Sequence, residues 1–67
     1  MSPQKIGRVL KTLREQKGLS QLQLAKRAKV AQAYISEMEA GQKRNPGIAT
    51  LRKLAKSLDV NVTQLLE

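Results

Sequence analysis

Residues 19–41 read LSQLQLAKRAKVAQAYISEMEAG, and this stretch decides the fold. Ser20 stands where an N-cap belongs, just before Leu24, Ala25 and Ala28, which share one helical face. A second helical run spans about 31–40, with Ala31, Ile35 and Met38 at i, i+4 and i+7. Gly41 punctuates its end. Between the two runs, Lys29 and Val30 leave room only for a tight turn. Two short helices joined so closely form a helix-turn-helix. Around the second helix, Gln32, Ala33, Ser36 and Glu37 lie opposite the apolar stripe. These are short side chains, mostly hydrogen-bonding, of a kind that can enter a major groove from the start of a helix.

Outward from this centre the same period continues. Ser2 and Pro3 form a helix start, with Pro at the first helical position. Ile6, Val9, Leu10 and Leu13 then make one stripe, which Gly18 ends. Downstream, residues 42–47 form a polar loop holding Lys43, Arg44, Asn45 and Pro46. A fourth helix carries Ile48, Leu51, Leu54, Ala55 and Leu58. Asn61 caps a last turn bearing Val62, Leu65 and Leu66. No segment alternates with the period of a strand. The expected fold is all-α: five helices in a single domain over residues 1–67, with their stripes pooled into one core. A chain this short buries roughly 60% of its unfolded surface, so modest stability is expected.

Composition excludes several functions. Hydrophobic residues make up 40% of the chain, which argues against wholesale disorder. Cysteine and histidine are both absent. That removes disulfides, thiolate metal sites, the commonest metal ligand and the commonest general base. Neither a metal nor a cofactor is expected. An enzyme is not expected either. Glu37 and Glu39 are two apart on a helix and diverge, and Ser20, Ser36 and Ser57 have no histidine to activate them. No apolar run approaches the ~20 residues of a membrane helix, and residues 1–5 lack the apolar core of a signal peptide. The expected compartment is the cytoplasm.

Charge points to the partner. Thirteen Lys and Arg face five Asp and Glu, for a net charge of +8. Every cation falls at or before Lys56. A surface so basic suits a polyanion, with nucleic acid first and an acidic membrane surface second. A generally solubilising surface is the plain alternative. Tyr34 is the sole aromatic residue, which speaks against the base-stacking platforms of single-strand and RNA binders.

The order and spacing of particular residues carry a family resemblance. The run Leu19-Ser20-Gln21, then Leu24-Ala25, Ile35, Met38-Glu39 and Gly41, resembles the xenobiotic-response-element family of helix-turn-helix regulators. That family holds the phage lambda repressor and Cro. Leu54-Ala55-Lys56, Leu58 and Val60, followed by Leu65-Leu66, are similar to its last two helices. The resemblance spans about residues 4–66. It implies a lambda-repressor-like domain that binds double-stranded DNA and regulates transcription, most often as a repressor and as a homodimer on a palindromic operator.

By position in the family motif, Gln32, Ala33, Ser36 and Glu37 align with the base-reading face. Their chemistry agrees: Gln pairs bidentately with adenine, Glu accepts from cytosine N4, and Ala touches a thymine methyl. An ordinary solvated helix face remains the alternative. Gln21, in the first turn of the second helix, suits a phosphate, although simple capping also accounts for it. Tyr34 can direct its hydroxyl to a phosphate or merely pack. The resemblance lays Lys43, Arg44 and Asn45 along the sugar-phosphate backbone. It also implies an ion pair between Arg14 and Glu39, so Arg14 reads as scaffold rather than DNA contact. Its dimer surface falls on Val60, Asn61, Val62, Gln64 and Leu65.

Three positions depart from the family pattern. Lys29 stands where the tight turn usually has Gly, and left-handed backbone there would cost roughly 1 kcal/mol. Ala31 replaces a Ser or Thr cap, a loss of about 1 kcal/mol. Leu22 occupies a usually polar outward position. It suits a second reading, a protein-interaction module such as an antitoxin or a bridging coactivator, with a protein partner at Leu22 or the C-terminal helix.

Overall fold

The computed structural model describes residues 3–42 and 46–66. Among these residues the regular structure is wholly helical: α1 (Pro3–Gln16), α2 (Gln21–Ala28), α3 (Gln32–Glu39), α4 (Ile48–Ser57) and α5 (Val62–Leu66). The five-helix, all-α expectation holds, and α2 with α3 forms the helix-turn-helix. α1 packs on α3 and α5, while α2 lies between α3 and α4. α4 in turn supports α5.

The expected stripes meet in one core. Ile6 and Leu10 of α1 join Leu24, Ala25 and Ala28 of α2, with Ile35 and Met38 from α3. Leu51, Leu54 and Ala55 of α4, then Leu58 and Leu65, complete it, with Leu19 from the first turn. Fully burying one Leu or Ile side chain contributes about 1.5–3 kcal/mol relative to exposure. Two expectations fail at helix starts. Ala31 is exposed, because it is the extended N-cap of α3 and not part of its stripe. Ile48 opens α4 and is 54% exposed, one turn short of the core that Leu51 enters.

Gly7 is buried and fixes how closely α1 and α3 approach. A Cβ there would overlap the Met38 carbonyl oxygen and lie 3.1 Å from the Glu39 Cα. The obstacle is backbone, so it cannot swing aside. Only glycine allows this spacing.

Four helix ends share one backbone device. After α1, the Leu19 N–H donates to the Arg14 carbonyl and the Gly18 N–H to Glu15. After α2, Val30 donates to Ala25 and Lys29 to Lys26. After α3, Gln42 donates to Glu37 and Gly41 to Met38. After α4, Val60 donates to Ala55 and Asp59 to Lys56. This is the Schellman pairing, which satisfies otherwise bare carbonyls and needs one left-handed residue. Gly18 and Gly41 supply it at φ 68° and 76°. Lys29 and Asp59 do so at φ 57° and 58°, without glycine's freedom.

Helix starts are more varied. Ser20 and Gln23 form a capping box: the Gln23 N–H donates to Ser20 Oγ at 3.0 Å and the Ser20 N–H to Gln23 Oε1 at 2.8 Å. The Asn61 N–H donates to Gln64 Oε1 at 3.0 Å, half of the same device on α5. No side chain caps α3 at Ala31.

Candidate nucleic-acid interface

α3 presents one face to solvent and one to the core. Ile35 and Met38 are buried, while Gln32, Ala33, Ser36 and Glu37 are exposed. The outer face is therefore the set of four side chains expected from the helical wheel. Tyr34 is half-buried at its edge and packs against the core.

The angle of that face is set by a charged clamp. Arg14 Nε donates to Glu39 Oε2 at 2.7 Å, and Arg14 Nη2 donates to Glu39 Oε1 at 2.9 Å. This is the planar fork-to-fork pairing that guanidinium and carboxylate favour. Arg14 Nη1 reaches further, donating to the Leu19 carbonyl at 2.7 Å. Gln21 Nε2 donates to Glu39 Oε1 at 3.0 Å. The network joins α1, the start of α2 and the end of α3. The Arg14 side chain is 11% exposed and that of Glu39 4%, so water competes little.

Burial pushes the Glu39 carboxyl up. The hydrogen bonds from Arg14 and Gln21, with the charges of Arg14 and Lys11, outweigh burial and leave it below its ordinary value. The hydrogen bond to Glu39 raises the Arg14 guanidinium above its ordinary value, against the opposing effect of burial. Both groups are held in their charged forms.

The Gln21 side chain is turned toward Glu39, so one of its amide protons serves the clamp and not a ligand. Lys43, Arg44 and Asn45 lie outside the described residues. At the other end, Asn61 and Gln64 are exposed and Val60 and Val62 half-buried. Leu65 corrects the expected dimer surface: at 1% exposure its side chain is already enclosed by this chain's own core. Leu22 is 46% exposed.

Sequence reasoning missed three structural residues. Gly7 carries no turn chemistry, and a mid-helix glycine was its only signal. Gln21 was read outward, although its side chain turns inward to Glu39. Asp59 lies just past an apolar stripe, where a left-handed residue is needed. No described helix is long and apolar enough to cross a membrane. Among the described residues no group of acidic side chains could hold a metal ion.

Comparison with known proteins bears on what this scaffold is. A helix-turn-helix family model matches residues 10–65. The transcriptional regulator SinR of Bacillus subtilis is 42% identical over 62 residues, covering 92% of this chain and 56% of SinR. The chain thus spans about half the length of that curated relative. The restriction-modification controller protein C.AhdI from Aeromonas hydrophila superposes with a TM-score of 0.89 at 38% identity, covering 94% of each chain. The biofilm regulator SinR in complex with DNA superposes with a TM-score of 0.90 at 42% identity, covering 92% of this chain and 98% of that one.

Proposed function

The chain belongs to this helix-turn-helix family, and we propose that it reads double-stranded DNA as a transcriptional regulator. The observation that carries the proposal is the exposed polar face of α3, fixed in angle by the buried clamp of Arg14 and Glu39. A rigid helix is what base reading needs, because a bidentate contact tolerates little misalignment. Gln32 pairs with an adenine, Ala33 meets a thymine methyl, and Ser36 and Glu37 complete the contact. Glu37 also disfavours sequences that offer it no donor, since a carboxylate beside phosphates is otherwise repelled.

Affinity comes from the phosphates. At the start of α2, Gln21 offers a backbone N–H and the second proton of its amide. The Tyr34 hydroxyl, Lys43, Arg44 and Asn45 take further positions along the backbone. Each cation engaged steepens the salt dependence by nearly one counterion. One eight-residue helix reads few base pairs, so specificity requires two copies. The protein acts as a lambda-repressor-like homodimer on a palindromic operator, as a repressor, through Val60, Asn61, Val62 and Gln64. SinR has been seen in complex with DNA, and the same use of the shared fold is proposed here.

Exposure of Leu22 favours a second reading, in which the domain engages a protein. Selection from a random duplex library at physiological salt separates the two. Enrichment of a palindrome with half-sites one helical turn apart supports operator reading. Salt-sensitive binding without sequence enrichment refutes it and points to the protein partner.

A further inference from the structure

A second feature of the domain is one that base reading does not use. An open groove of about 490 Å³ runs between the C-terminal ends of α2 and α4. Four cations line it, Arg27, Lys29, Lys53 and Lys56, together with Ala28 and the Ser57 hydroxyl. Among the described residues no carboxylate lines it. None of the residues that line the groove belongs to α3.

Cations in a last helical turn are usually accounted for by the negative end of the helix dipole. That account is incomplete here. The carbonyls of Ala25, Lys26, Ala55 and Lys56 already accept backbone N–H groups from the Schellman pairings. Lys29 also stands out by its backbone. It holds a left-handed conformation at φ 57°, where glycine would close α2 without strain. The chain thus bears a conformational cost of roughly 1 kcal/mol to keep a cation at the groove.

We propose that this groove binds a small oligophosphate: two or three linked phosphates, as in a nucleoside diphosphate or triphosphate. Its volume lies within the range of small-ligand sites. Four long, mobile donors suit an anion of several charges better than a single phosphate. The Ser57 hydroxyl supplies a further donor. The site is separate from the α3 face, so ligand and operator can be held together.

The test uses the chain at low ionic strength, with inorganic tripolyphosphate as probe and amide chemical shifts as readout. The proposal expects saturable shifts confined to residues 27–29 and 53–57, much weaker for monophosphate. Lys29→Gly with Lys53→Gln should weaken binding about 10-fold, taking each exposed charge contact at up to about 1 kcal/mol. Lys29→Gly relieves strain, so loss of fold is not a competing cause. Non-saturating shifts spread over all the cations would overturn the proposal. So would displacement of tripolyphosphate by duplex DNA, with protection of the same residues, because the groove would then be a DNA-backbone contact.

Discussion

Replacing Glu39 with Gln tests the clamp that orients α3. The carboxylate accepts from Arg14 Nε, Arg14 Nη2 and Gln21 Nε2. After the change, Arg14 keeps its charge and its bond to the Leu19 carbonyl but faces an amide in a nearly dry site. Breaking one side of a buried pair typically costs 3–5 kcal/mol. Residual exposure of Arg14 places this case at the lower end, about 3 kcal/mol. A chain of this length has roughly 3–10 kcal/mol in total, so the loss is severe. Urea denaturation followed by helical circular dichroism measures it directly, as a midpoint shift at constant slope. Replacing both partners by apolar residues, R14M with E39L, should recover much of the loss, because no unpaired charge then remains.

The pH dependence has a definite sign. The folded-state value of Glu39 lies below its unfolded value. Its contribution is therefore fully present above the unfolded carboxyl range, near 4.3, and is lost as pH falls through the lower folded value. Glu39→Gln should flatten that acid limb. Arg14 is raised instead, so its contribution is present below its ordinary value and fades only in strong alkali. A loss below about 1 kcal/mol for Glu39→Gln, with the acid limb unchanged, would show that the pair does not clamp α3, since an exposed pair behaves that way.

Three further stability changes follow from the backbone. Gly7→Ala should destabilise by about 1–3 kcal/mol, the usual cost of overpacking, because its Cβ meets the Met38 carbonyl; thermal unfolding reads this as a lowered Tm. Lys29→Gly should stabilise by about 1 kcal/mol and raise Tm by roughly 4–8 °C. Ala31→Ser should add the missing cap of α3, worth about 1 kcal/mol. Hydrogen exchange at the first turn of α3 should slow in the same variant.

Most of the fold was legible because the helices are amphipathic and their ends carry local signals. Leu24, Ala25 and Ala28, or Leu51, Leu54 and Ala55, can face only one way. Gly18, Gly41 and Ser20 mark ends by chemistry that acts within a few residues. Ala31 and Ile48 misled because both stand at helix starts, where the periodic pattern runs on but the backbone has not yet reached the core. Gly7 and the Gln21 side chain depend on what lies across a helix interface, and no local pattern records that. Leu65 illustrates the same limit at the candidate dimer surface: an apolar residue in a short last turn reads equally as core or contact until α1 and α4 are placed around it. The exposed face of α3 was legible because Ile35 and Met38 fix the inward side of the helix and so define the outward one.

Base discrimination by the outer face of α3 is proposed to set the specificity of the domain. Measuring Gln32→Ala against the parent chain, on a selected duplex and its single-base variants, tests it most directly. Discrimination should collapse at one base pair by about 1–3 kcal/mol, while the salt slope stays unchanged. An equal loss on every sequence, or a flatter salt slope with discrimination intact, would contradict it and make Gln32 a phosphate contact.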